Sequence, residues 1–298
     1  MSMIEIYNLT KDYGNNKGVF DVSFSIEKGE VFGFLGPNGA GKTTTIRHLL
    51  GFLNADSGSC TINGLNCRTS AHTIQKSLGY LPGEMPTVDD MTGTQLVKFI
   101  AELRGLNDLK KANELMERFE LNPKGRIKKM SKGMKQKIGI VCSFMHDPDI
   151  LILDEPTSGL DPLMQNRFVE LILEEKQKGK TILMSSHMFE EVERTCDRVG
   201  IIREGKLVAI DDIDTLKASK RKNYVVSLST QQEAQAFSQE PLNIISIHNN
   251  IVTVSLQGDM SPFLQAMTKY QVTNLDVASQ SLEEVFMNYY GNGGQKNV

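Results

Sequence analysis

The sequence predicts an α/β fold with a mixed central sheet, an antiparallel β flank, an inserted helical subdomain and a small C-terminal α+β domain. Three observations predict it. Short apolar runs alternate with helical patterns from the start to about residue 212. The central runs, such as Ile150-Leu151-Ile152-Leu153, are uninterrupted and aliphatic, as parallel strands covered on both faces are. Residues 36–44 form a glycine-rich loop with a Lys-Thr pair, set between an apolar strand at 31–35 and a helix-like run at 44–50.

Taken in order, the predicted strands are 3–8, 22–26, 31–35, 59–62, 77–81, 150–153, 181–185, 199–202 and 206–210. Several N-terminal strands alternate polar and apolar residues, which suits an antiparallel flank. Between 92 and 122 the period turns helical. Leu96, Phe99, Ile100 and Leu103 mark one face, then Leu109, Ala112, Leu115 and Phe119 mark another. The block interrupts the α/β alternation, so residues 90–147 are expected to form the helical subdomain within a domain spanning 1–212. A polar stretch at 213–222 is expected to be a linker. Residues 223–291 then hold strands at 224–229, 244–247 and 251–256 with helices near 261–269 and 282–289, followed by a disordered tail at 292–298.

The composition narrows the function classes. The chain has 298 residues, 40% of them apolar, enough for one large and one small core. A net charge of −3 gives no global attraction to nucleic acid or anionic membrane. Cys60, Cys67, Cys142 and Cys196 have neither metal-ligand spacing nor a disulfide pattern, and reduced, packed thiols are expected. A redox pair of Cys60 and Cys67 is the lesser alternative. The N-terminus lacks a signal peptide's basic start and apolar stretch, and no run of about 18 apolar residues occurs. The expected location is cytoplasmic, with any membrane role borrowed from a partner.

The loop reads Gly36-Pro37-Asn38-Gly39-Ala40-Gly41-Lys42-Thr43-Thr44. Its glycines let the backbone curl so that N–H groups point into one concavity, and the following helix adds its positive end. Such a nest binds a nucleoside triphosphate. Lys42 is placed to bridge the β- and γ-phosphates and Thr43 to offer its hydroxyl to Mg²⁺. The strand 150–153 ends in Asp154-Glu155. Beside a phosphate-binding loop, Asp154 can hold the metal and Glu155 can orient and polarise the attacking water. Without that loop, two acids after a strand would as readily start a solvated turn.

The run Asp154-Glu155-Pro156-Thr157-Ser158-Gly159-Leu160-Asp161-Pro162 resembles the ATP-binding subunits of ATP-binding-cassette (ABC) transporters. The resemblance covers roughly residues 3–212, with its parts in the family's order, and implies the ABC-type P-loop NTPase fold. Tyr13 matches the aromatic position that stacks on adenine. Met130-Ser131-Lys132-Gly133-Met134 matches the signature, which makes Ser131 and Gly133 nucleotide-binding. His187 matches the switch histidine that contacts the γ-phosphate. Ser131 is also a good N-cap for a helix whose apolar face carries Ile138, Val141, Cys142 and Met145. The positive end of that helix has no phosphate to bind in its own subunit. The resemblance implies that it closes on the nucleotide of a second ATP-binding subunit, in a homodimer or a homologous heterodimer.

The pattern also departs from the family. Lys132 and Met134 replace a glycine and a glutamine of the signature, and Ser131 and Gly133 still leave a working site. Gly83, followed by Glu84, stands where the family offers a glutamine toward the metal. Neither residue copies a neutral amide, so this loop is assigned to coupling alone. Seven Lys or Arg fall between Lys124 and Lys137. They read as a solvated face with some nucleotide attraction before a patch for anionic lipid.

What the resemblance implies is an ATPase subunit driving a separate transmembrane permease, peripheral on the inner face of the membrane, with no nucleic-acid partner. The stretch around Tyr80, the signature and the ending at 281–286 look like exporter subunits for drugs, antibiotics, lipids or amphipathic peptides. An importer ATPase is the alternative. Soluble ABC-type ATPases fit less well: ribosome-acting members resemble two cassettes in one chain, and DNA-acting members carry a long coiled coil where only about ninety residues separate Lys42 from Ser131.

Overall fold

A computed structural model describes residues 2–85, 90–219, 222–256 and 259–279. From the N-terminus, β1 (Ser2–Asp12) and β2 (Gly18–Glu27) form an antiparallel hairpin. Strand β3 (Val31–Leu35) runs through the glycine loop into α1 (Lys42–Leu49). The chain returns through β4 (Ser57–Ile62), β5 (Leu65–Asn66), α2 (Ala71–Ser77) and β6 (Leu78–Leu81). Next come α3 (Gly93–Leu103), α4 (Lys110–Arg118), a 3₁₀ turn at Ile127–Lys129 and α5 (Lys132–Phe144). They are followed by β7 (Ile150–Asp154), α6 (Pro162–Gln177), β8 (Thr181–Ser186), α7 (Phe189–Thr195), β9 (Arg198–Arg203), β10 (Lys206–Asp212) and α8 (Ile213–Ser219). The remainder is β11 (Lys222–Leu228), α9 (Gln231–Phe237), β12 (Ile244–His248), β13 (Ile251–Leu256), α10 (Ser261–Met267) and β14 (Val272–Ser279).

The strands form three sheets. The flank is antiparallel, in the order β2-β1-β4-β5. The central sheet has the order β10-β9-β3-β8-β7-β6, with its members parallel except β10. Strands β3, β7 and β8 are buried at every residue, the pattern of strands covered on both faces. The core lies between the flank and the central sheet, with Ile46 and Leu49 of α1 inside it. Phe24 of β2 and Phe32 of β3 stack with ring centroids 5.0 Å apart, joining the two sheets through aromatic contact.

Contacts divide the chain into Met1–Ile213 and Asp214–Val298. The second unit is a four-stranded antiparallel sheet, β12-β13-β11-β14, whose core gathers Tyr224, Val226, Val252, Val254, Phe237 and Phe263.

The structure corrects the sequence reading in several places. Residues 213–219, read as the start of a linker, are helical: Ile213 and Leu216, three apart, are both buried and give the polar stretch one apolar face. Ser77 closes α2 instead of opening a strand. Strand β14 and helix α9 escaped notice, β14 because its sequence, Val-Thr-Asn-Leu-Asp-Val-Ala-Ser, does not alternate regularly between apolar and polar residues. On α3 the buried face is Gly93, Leu96, Val97 and Ala101, while Phe99 and Leu103 face solvent. The helix expected near 282–289, the ending at 281–286 and the tail at 292–298 lie outside the described residues.

Truncating the aromatic joint tests this architecture. Phe24→Ala should cost about 3 to 5 kcal/mol, read as a lower urea midpoint with an unchanged slope. A loss below about 1 kcal/mol would show that the stack does not hold the sheets together.

Candidate functional site

The site is built on three neighbouring parallel strands. In register, Leu35 of β3 pairs with Ser186 of β8, and Ser185 of β8 pairs with Asp154 of β7. The loops that follow these strands leave the sheet at one edge, the carboxyl-end crevice where open α/β sheets bind ligands.

After β3 comes the glycine loop. Its first N–H, from Gly36, donates to Ser186 O at 3.3 Å, tying it to β8. Gly36 admits no side chain, since a Cβ there would sit 2.3 Å from Ile202 O. Gly41 has φ +113°, and a Cβ on it would lie 2.7 Å from Val19 Cγ1. The loop is thus pressed from behind by β9 and β2. Its first helical N–H groups have no intrahelical acceptors by construction, which suits an anion.

Lys42 is buried. Its Nζ donates to Gly36 O at 2.5 Å and Pro37 O at 3.2 Å, and lies 3.0 Å from Glu155 Oε1. The ammonium is therefore folded onto its own loop and paired with the acid of β7's following loop. Thr43 Oγ1 donates to Asp154 Oδ2 at 2.7 Å, and Ser185 Oγ donates to Asp154 Oδ1 at 2.5 Å. A carboxylate beside a hydroxyl is a hard oxygen donor pair of the kind Mg²⁺ takes, with its other ligands supplied by water and phosphate.

Glu155 follows the strand with φ +48°, in the left-handed region that a non-glycine residue rarely adopts. Its N–H donates to Ser185 Oγ at 3.0 Å and Ser185 O at 3.2 Å. From the other side, Gln136 of α5 donates to Pro156 O at 2.8 Å and Glu155 O at 3.3 Å. These bonds hold the strained turn and aim the carboxylate back into the site. There Glu155 Oε2 meets His187 Nδ1 at 2.5 Å. Lys42, Glu155 and His187 thus form one linked set.

Four predicted residues lie elsewhere or do less. Tyr13 is exposed in the turn between β1 and β2, and the start of β2 reaches the glycine loop through Val19 against Gly41. Ser131 caps its own helix, accepting from Met134 N at 3.2 Å. Gly133 backs onto the loop after Glu155: a Cβ there would lie 2.5 Å from Gly159 O. At Gly83 a Cβ would sit 3.4 Å from Asp154 Oδ2, so the chain passes beside the Asp154 carboxylate with no side chain to offer. Of the basic run, Lys124, Arg126, Lys128, Lys129 and Lys132 are exposed. All four cysteines are free, and burial pushes each thiol up to about 12, which removes thiolate character near neutral pH.

Sequence reasoning missed Ser185, Gln136, Thr157, Ser186 and Glu191. The first had a legible signal, two serines closing an otherwise aliphatic strand just before His187. Glu191 had none, because an acid in the first turn of α7 is what any exposed helix start carries. In the structure it is buried, and Oε2 accepts from Ser186 Oγ at 2.8 Å and Thr157 Oγ1 at 3.2 Å. Burial pushes its carboxyl up from 4.5 to about 7, against the pull of those two donors.

The ABC transporter family profile matches residues 19–158. The chain is similar to the linearmycin resistance ATP-binding protein LnrL of Bacillus subtilis, at 32% identity over 97% of this chain and 98% of that one. It is similar to the bacitracin transport ATP-binding protein BcrA of Bacillus licheniformis, at 34% identity over 98% of each. Among solved structures, the ATP-binding subunit of an ABC transporter superimposes with a TM-score of 0.66 at 32% identity, covering 72% of this chain and 92% of that one.

The raised carboxyl of Glu191 carries a stability signature. Folding disfavours its charged form, so it costs nothing below pH 4.5, and the penalty grows as pH rises through 7 and is constant above that. The full penalty is at most about 3 kcal/mol. Replacing it with Gln removes that slope. The melting temperature of Glu191→Gln, relative to the natural protein, should climb between about pH 5 and pH 8, and parallel melting curves would refute the raised value.

Proposed function

The chain belongs to the ATP-binding proteins of ABC transporters, and we propose that it is the energy-coupling ATPase of an exporter for a hydrophobic or amphipathic substrate such as a drug, antibiotic, lipid or peptide. One observation carries the hydrolytic part: Lys42, the Thr43–Asp154 pair, Glu155 and His187 converge where three parallel strands end. The direction and the substrate class rest on full-length similarity to proteins named for bacitracin transport and linearmycin resistance.

The mechanism begins with an exchange of partners. The triphosphate enters the loop, and Lys42 turns from Glu155 and its own carbonyls to the β- and γ-phosphates. Thr43 and Asp154 would hold Mg²⁺, which neutralises developing charge on the phosphate oxygens. Released from Lys42, the Glu155 carboxylate orients a water and accepts its proton as the oxygen bonds to the γ-phosphorus. The bond to the β–γ bridging oxygen breaks, giving ADP and phosphate. His187, fixed by Glu155, faces the γ-phosphate. Positioning and charge neutralisation supply most of the acceleration.

Ser131 caps its own helix and Gly133 backs onto Gly159. In the proposed assembly they close on the nucleotide of a second ATP-binding subunit, identical or homologous, with Tyr13 stacked on adenine. Lys132, exposed at the first turn of α5, adds positive charge to that face. No helix among the described residues is long and apolar enough to cross a membrane. In the proposed assembly, movement passes to a separate transmembrane permease, against which the chain sits on the cytoplasmic side. The exposed Phe99 and Leu103, one turn apart on α3, offer that permease an apolar contact.

Glu155→Gln should bind ATP and pair with a second subunit while its turnover falls by at least about a hundredfold. Lys42→Ala should lose nucleotide affinity outright. With the co-purifying membrane protein, the natural chain should raise cellular resistance to amphipathic peptide antibiotics and Glu155→Gln should not. Undiminished hydrolysis by Glu155→Gln would overturn the site assignment, and equal resistance from both chains would overturn export.

A further inference from the structure

We infer that Glu191 is a positioning residue that sets the Glu155–His187 pair by clamping together the two loops that carry it. Its Oε2 accepts from the Thr157 hydroxyl and from the Ser186 hydroxyl. Thr157 is two residues past Glu155, and Ser186 is the residue before His187. One buried oxygen thus fixes the separation of the loop after β7 from the loop after β8, next to the 2.5 Å contact between Glu155 Oε2 and His187 Nδ1.

The clamp is itself anchored. Glu191 lies on α7, whose Val192 packs against β3 so closely that a Cβ at Gly33 would come within 2.7 Å of Val192 Cγ1. The Glu191 carbonyl also accepts from Thr195 Oγ1 at 2.7 Å. Ser186, for its part, receives the Met188 N–H on its hydroxyl at 2.9 Å and the Gly36 N–H on its carbonyl at 3.3 Å. The switch loop is therefore held on both sides of His187, and its upstream anchor is shared with the phosphate loop. Beside the clamp lies a cavity of about 200 Å³, lined by Glu191 itself with Thr157, Met188 and Arg194 among others. Glu191 Oε1 has no hydrogen-bond partner among the described residues. A buried carboxylate kept at such cost, with only one oxygen engaged, is explained by what that oxygen holds.

The geometry separates length from charge. Gln keeps the reach and an accepting oxygen. Asp keeps the charge and is one methylene short. The inference rests on the role proposed for Glu155, so Glu155→Gln is assayed in parallel, and its retained turnover would condemn that role before this one. In the full-length protein, Glu191→Gln should keep kcat within about threefold. Glu191→Asp and Glu191→Ala should each lower kcat by about tenfold or more, with the Kd for a fluorescent ATP analogue changed less than twofold. Thr157→Val should lower kcat alone and add little on top of Glu191→Ala. The inference fails if Ala or Asp keeps kcat within threefold, if ATP affinity falls as far as kcat, if Gln is as damaging as Ala, or if Thr157→Val adds its whole effect to Glu191→Ala. Should Glu191→Ala not fold, the same comparison is made between Thr157→Val combined with Glu191→Asp and with Glu191→Gln.

Discussion

The adjacency of β3, β8 and β7 in one parallel sheet is the constraint on which the rest of this molecule depends. Parallel strands point their carboxyl ends the same way, so neighbours in the sheet deliver their following loops to one edge. Main-chain pairing alone sets Leu35 beside Ser186 and Ser185 beside Asp154. The glycine loop, His187 and the two acids come from positions up to about 150 residues apart in sequence, yet no long-range side-chain contact is needed to assemble them. Side chains then make fine adjustments within a frame already set by the ladder.

Within that frame the buried charges satisfy one another. Lys42 would be costly to bury alone, and Glu155 Oε1 with two loop carbonyls compensates it. In the proposed mechanism a triphosphate would not create the site's charge balance but replace one counter-ion with another. The same logic applies to backbone strain. Glu155 in the left-handed region costs of order 1 kcal/mol or more, and its turn persists because Ser185 on one side and Gln136 on the other over-determine it. Gln136 stands on the helix opened by Ser131, so that helix also braces the turn at Glu155.

Much of this was legible in the sequence, for reasons specific to each element. The glycine loop is a local pattern with one good physical interpretation, the acids closing an aliphatic strand gain theirs from that loop, and His187 was legible only through the family resemblance. The residues that escaped do their work through position alone. Ser185, Thr157 and Ser186 are small polar residues that occur in any loop or strand end, and only the pairing of β8 with β7 makes them partners of Asp154 and Glu191. Periodicity misjudged α3 because it registers which residues are apolar and not which are covered. Phe99 and Leu103 belong to the apolar count, yet Val97 and Ala101 fill the contact with the rest of the subdomain. The polar run at 213–219 misled in the opposite sense, since two buried residues three apart suffice to fix a short helix.

The rear of the phosphate loop has a consequence of its own. Gly36 and Gly41 are pressed against Ile202 and Val19, which belong to different sheets. The cradle's curvature is therefore a cast of the seam between the two layers. Drift in either layer, even by conservative aliphatic exchange at a site no ligand touches, reshapes the mould. Such a lesion would surface as weak substrate capture in a chain that still melts normally, and a survey of thermal tolerance alone would pass it as silent.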